Sequence, residues 1–155
     1  LREGDAPIVS TLIDFFRCPD TPGREVWNKA SNHQQEVELR EQEIGRDIGS
    51  RHFIPYIQLH EFEALLFNDL QLFYQQVPSQ DLVGVEELQE IFLKYPNPEM
   101  INSRKETSPS HRLKRIIAGY NKPLYGHYLA EAIGIERIRS KCPRFNNWIE
   151  TLISI

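Results

Sequence analysis

The sequence predicts an α/β fold: a small parallel sheet built on one β-α-β core, followed by a helical C-terminal half. Three observations predict it. Pro7–Ile13 (P-I-V-S-T-L-I) is a nearly continuous apolar run rich in β-branched residues, the pattern of a strand covered on both faces in a parallel sheet. His52–Gln58 (H-F-I-P-Y-I-Q) is a second such run, and the polar, helix-favouring stretch between them is long enough for a right-handed crossover. After Leu59 the apolar residues recur at helical spacing. At 155 residues, 40% hydrophobic and 26% charged, the chain suits one domain, with a core over residues 1–69 and a helical extension over 70–155.

The first strand ends at Asp14, and Pro19, Pro22 and Gly23 then mark an irregular loop. From Arg24 to Ile48, Val37, Ile44 and Ile48 share one face. This is one exposed amphipathic helix, or two with a break near Ser31-Asn32, stopped by Gly49. Pro55 places the second strand near a sheet edge or gives it a bulge. Helices are expected over His60–Phe67, Leu70–Val77 and Asp81–Tyr95, with loops at Pro96–Pro98 and Asn102–Pro109. Ser108-Pro109 reads as an N-cap followed by proline at the first helical position, opening a helix that reaches Ala118. Pro123–Ile133, Ile135–Lys141 and Pro143–Ile155 complete the helical half, with no internal repeat or low-complexity tract.

Several classes find no support. No apolar run approaches the roughly 20 residues that span a bilayer. Cys18 and Cys142 form neither a disulfide scaffold nor a zinc spacing and suit a reducing cytoplasm. There is no G-x-S-x-G, P-loop or G-x-G-x-x-G, and H-E-F-E lacks the second histidine of a zinc protease. The charged opening Leu1–Asp5, without methionine, reads as a chain cut from something longer. The net charge of −4 hides an asymmetry: residues 1–100 carry a balance of −10 and residues 101–155 one of +6. The basic third can dock phosphate, an acidic partner or the chain's own acidic half.

Three groups can carry chemistry. Asp14, at the carboxyl end of a strand, lies where parallel sheets gather ligands, and the following loop bears Asp20. Magnesium needs only one or two carboxylates beside waters and substrate phosphates. Equally, Asp14 can cap the loop by bonding the backbone near Arg17. In H-E-F-E-A-L-L-F, Glu63 stands on a largely apolar face and must reach a metal, a cation or the rim, while Glu61 faces solvent or the N-terminus of its own helix; for both, complementing the dipole in that helix's first turn is the alternative. The segment Lys105–Arg115, with Ser108, Ser110, His111, Arg112 and Arg115, then Tyr120 and Lys122, is either a phosphate site or a solvated helix face. His52 and His127 read as structural.

The blocks T-L-I-D-F-F-R-C-P-D-T-P-G, R-H-F-I-P-Y-I-Q-L-H-E-F-E-A-L-L-F-N-D, Y-P-N-P-E-M-I-N-S-R-K-E-T-S-P-S-H-R-L and K-C-P-R-F-N-N-W together resemble, in order, the bacterial family known as domain of unknown function 4276. That resemblance implies a Toprim-like parallel sheet and magnesium-dependent phosphodiester chemistry. Asp14 would match the later-strand aspartate and Glu63 the next acidic position. Two carboxylates on one predicted rim and a basic C-terminal segment complete the expectation: Asp14 and Glu63 ligate the metal, Asp20 supports the loop, and Arg112, Lys114 and Lys122 hold substrate phosphate. Two departures follow. Asp14-Phe15-Phe16 lacks the second aspartate of D-x-D, and the strand bearing V-E-G-x-T-E is missing, so the chain is expected to be inactive by itself. The resemblance also implies phage defence beside an ATPase of the overcoming-lysogenization-defect type. The alternative is a non-catalytic subunit that docks on that ATPase or pairs as a homodimer.

Overall fold

The computed structural model describes residues 7–101 and 104–155, so the charged opening and the loop positions Asn102 and Ser103 lie outside the described residues. The protein is a mixed α/β chain with two short parallel strand pairs and a helical C-terminal half. It divides into two compact units, Leu1–Leu59 and His60–Ile155.

In the first unit the elements are β1 (Val9–Ser10), β2 (Ile13–Asp14), α1 (Arg24–Trp27), α2 (His33–Ile48), β3 (Phe53–Ile54) and β4 (Ile57–Gln58). β1 pairs with β3 and β2 with β4, both parallel, placing Val9 opposite Phe53 and Asp14 opposite Gln58. The two expected strands are thus each broken in the middle. Pro55 has no N–H to give the ladder. Across the gap the Thr11 hydroxyl accepts the Tyr56 N–H at 2.9 Å and donates to the Tyr56 carbonyl at 3.0 Å, a side chain replacing missing backbone bonds. Coverage also differs from expectation. β4 is fully buried, but Val9 is 52% and Leu12 47% exposed, because their strand has one strand neighbour among the described residues.

The helical stretch does break where Ser31-Asn32 sits. Asn32 Oδ1 accepts the Gln35 N–H, and Gln35 Oε1 accepts the Ser31 N–H, a reciprocal cap that starts α2. Gly49, at φ 64°, ends it. Val37 packs on Ile57 and Leu59, with Ile44, Phe15 and Cys18 around them. Glu41, on the same helix, accepts the Ile57 N–H at 2.7 Å and ties α2 to β4.

Arg40 holds the loop after β2. Its guanidinium lies 3.7 Å from the Trp27 ring centroid, pairs with Glu36 at 2.8 Å, and donates to the Pro19 carbonyl and the Thr21 hydroxyl. Trp27 in turn donates to the Pro22 carbonyl at 3.0 Å. Gly23 adopts φ 73°, and a Cβ there would run into Glu43, so glycine is required at this turn.

The second unit comprises α3 (Leu70–Gln76), α4 (Val85–Lys94), α5 (Pro109–Ile116), α6 (His127–Ile133), α7 (Ile135–Lys141) and α8 (Pro143–Ile153). Phe67, Phe73 and Phe92 meet around its core, with Leu88, Ile91, Leu113, Ile116 and Leu129 buried. The helix expected over His60–Phe67 is instead a 3-10 turn, Phe62–Leu66, and His60 lies outside it at φ 71°, which no α-helix accepts. The helix expected from Asp81 begins only at Val85. Val83 and Gly84 instead donate their N–H groups to the Ile116 carbonyl, and a Cβ at Gly84 would stand 2.8 Å from Ile116 Cα. Among the described residues no helix is long and apolar enough to cross a membrane.

Glu99, 1% exposed, caps α8 from a distance: its two oxygens accept the Arg144 and Phe145 N–H groups at 2.9 and 3.0 Å. Burial pushes its carboxyl above the ordinary value, against the lowering effect of those two bonds.

Two outcomes are expected. Arg40→Ala should lower unfolding stability by about 2–4 kcal/mol in urea, and Arg40→Lys should recover little of it, since a lysine cannot fork or stack as arginine does. Because the folded-state pKa of Glu99 lies above its unfolded value, its proton-linked contribution is fully present below the unfolded value and is lost as pH rises through the folded one. The stability of the wild type relative to Glu99→Gln should therefore increase on acidification from neutral pH, as denaturation at both pH values would measure.

Candidate functional site

In the first unit Asp14 closes β2 opposite Gln58 and occupies the N-cap position of a 3-10 turn, Phe15–Arg17, to which its side chain makes no capping hydrogen bond. The carboxylate is thus delivered to the carboxyl end of a parallel strand, with the Arg40-held loop directly after it. Asp20, in that loop, pairs with Arg24 at 3.1 Å, both side chains about two-thirds exposed, an arrangement worth little to stability. Cys18 is half-buried. Burial pushes its thiol up and the Arg40 charge opposes this.

The second unit gathers residues from three sequence-distant segments. His60, in the left-handed region, turns the chain so that Glu61 and Glu63 both point inward, at 8% and 3% exposure. Glu61 spans 49 residues to reach the start of α5: one oxygen accepts the Ser110 N–H at 2.8 Å and the other the Ser110 hydroxyl at 3.0 Å. This is a helix N-terminus satisfied by a remote carboxylate. Ser108 holds the expected N-cap position, but its side chain makes no capping bond and instead meets His111 Nδ1 at 2.9 Å. Glu63 meets Lys122 Nζ at 3.0 Å, and that ammonium also stands 5.6 Å from the Phe62 ring centroid. Lys122 opens a π-helical turn, Lys122–Gly126, a conformation often found at functional sites. Beside the two glutamates lies Tyr120. Burial first, then the Glu63 and Glu61 charges, push its phenol well above the ordinary value. Its hydroxyl is buried with no hydrogen-bond partner among the described residues.

The structure therefore brings Glu63 and Lys122 together, with Glu61 and Tyr120 beside them. It places Arg112 elsewhere: Nε donates to the Thr107 carbonyl at 2.7 Å, and the guanidinium reaches Glu87 at 3.5 Å. Arg115 shares the same Glu87. Lys114 is exposed. His127 faces Glu131 on the surface, and His52 accepts from Arg51. Sequence reasoning named Tyr120 beside Lys122 but had no signal that it lies beside the two glutamates, nor for the seat of Glu61 on α5, since both depend on packing between distant segments.

Whether this donor set suits magnesium can be judged from the bonds already made. Among the described residues no three His, Cys, Asp or Glu side chains gather in a group able to hold a metal. In the second unit both Glu61 oxygens serve Ser110, and Glu63 is compensated by an ammonium. A hard divalent cation needs carboxylate oxygens directed at it, without a cation in the way. The carboxylates of the second unit do not fit it.

These features define a protein with a parallel-stranded α/β unit and a helical unit in which buried carboxylates meet a lysine and a tyrosine. The chain belongs to the family described as domain of unknown function DUF4276, whose pattern matches residues 2–153. No curated protein and no solved structure matches it.

Two substitutions should differ in their effect on stability. Glu61→Ala removes the acceptor at the α5 N-terminus and should cost about 1–2 kcal/mol. Tyr120→Phe deletes a buried hydroxyl that none of the described groups bonds and should leave stability unchanged or raise it by up to about 1 kcal/mol. Thermal and urea unfolding of both variants would measure this.

Proposed function

We propose that the chain is the Toprim-like, nuclease-type component of a phage-defence assembly, working beside an ATPase of the overcoming-lysogenization-defect type. Asp14 is the observation that carries the reading. It stands at the carboxyl end of a parallel strand, where open α/β sheets hold ligands. Bound magnesium would supply charge neutralisation at a scissile phosphodiester. Asp14 would be the first unit's residue at that ion, and Asp20 lies in the loop that follows it, facing Arg24.

A second reading is favoured by a specific observation. The charged residues expected to touch substrate or metal in the second unit are largely engaged within it: Glu63 with Lys122, Glu61 with Ser110, Arg112 and Arg115 with Glu87. That supports a non-catalytic subunit that docks on a partner ATPase.

The two readings separate in one experiment. The natural protein, together with its ATPase partner, is incubated with DNA and RNA in magnesium. The nuclease reading expects cleavage that chelator abolishes and that Asp14→Ala reduces at least about a hundredfold, the scale on which removal of a metal-ligating group acts. A salt-sensitive complex with the ATPase and no cleavage of either nucleic acid would overturn it in favour of the docking subunit.

A further inference from the structure

We infer that the Lys122 ammonium is the built-in counter-ion of Glu63, standing where the family resemblance would put a magnesium ion, so that this carboxylate is closed to divalent cations. The inference rests on the second unit alone and is independent of the role given to Asp14.

The burial of the two partners is unequal. Glu63 is 3% exposed, while the Lys122 side chain is 46% exposed, so the carboxylate is the fixed, desolvated member and the lysine reaches in from the surface. Such a carboxylate needs a positive partner, because a desolvated negative charge is strongly disfavoured without one. Lys122 supplies it at 3.0 Å, from a backbone that is itself held: Asn121 Oδ1 accepts the Leu124 N–H at the start of the π-helical turn. The ammonium also lies near the face of Phe62, where a cation is favoured. The other glutamate of the same turn, Glu61, spends both oxygens on Ser110. A divalent cation at Glu63 would find one carboxylate and an ammonium repelling it. An ordinary lysine pair on a surface would show none of this asymmetry.

The test uses the 155-residue chain without substrate, so its result does not depend on cleavage. Manganese, as a paramagnetic probe for a hard divalent cation, is titrated and followed by electron paramagnetic resonance for wild type, Glu63→Gln and the neutral pair Glu63→Gln/Lys122→Met. The double variant removes both partners and guards against misfolding of the single one. Manganese binding, if any, is expected to be the same in all three, and magnesium is expected to shift their melting temperatures equally. Lys122→Ala should melt roughly 5 °C lower, as expected for a lost partner of a buried charge in a chain of this size, and Lys122→Arg should recover most of that loss. Manganese binding in the wild type that disappears in Glu63→Gln would overturn the inference. So would a Lys122→Ala variant as stable as the wild type.

Discussion

The Glu61 carboxylate seated on the first turn of α5 is the contact on which the second unit's arrangement depends. Helices in that unit run from 7 to 11 residues, too short to be stable alone. Their free N–H groups therefore need partners supplied by tertiary structure. Glu61 does this for α5, and Glu99 does it for α8. In both cases the local N-cap residue, Ser108 or Cys142, makes no capping bond of its own. A remote carboxylate thus fixes both the helix end and the loop that carries the carboxylate. The same docking draws the H-E-F-E turn against the segment that bears Ser108 and His111.

An analogous device organises the first unit. There the strands are two residues long, and a ladder that short leaves its middle unbonded. Thr11 closes the gap with its hydroxyl, Glu41 bonds a strand N–H from α2, and Arg40 pins the loop that follows Asp14. Side chains supply what regular backbone pairing does not. The position of Asp14 at the end of β2 follows from these contacts, which leave the strand end fixed while its preceding residues Val9 and Leu12 stay half-exposed.

Charge that is segregated along the sequence is not segregated in space. The basic C-terminal third reads as a docking surface for phosphate, yet Arg112 and Arg115 meet Glu87, and Lys122 meets Glu63, both acids of the first hundred residues. Arg139 turns to Glu136 and Glu150 within the third itself. The alternative the sequence left open, that the basic third faces the chain's own acidic half, describes these pairs. It leaves Lys114 as an exposed cation of that helix rather than part of a continuous basic face.

The sequence by itself determined the α/β class, the stop at Gly49, the start of α5 at Pro109 and the bounds of α7, and offered the break at Ser31-Asn32 as one of two alternatives, because caps, glycines, prolines and apolar periodicity act over a few residues. It also placed Asp14 at a strand end, for the same local reason. Only the tertiary structure decided that the turn after His60 is not an α-helix, that Ser108 leaves the capping of α5 to Glu61, and that Tyr120 lies beside two glutamates. Those outcomes depend on bonds between residues some fifty positions apart, such as the 49 separating Glu61 from Ser110 and the 59 separating Glu63 from Lys122. A carboxylate carries no local mark of its partner: whether it meets a metal, an ammonium or a helix end is settled only when distant segments pack and water is excluded from between them.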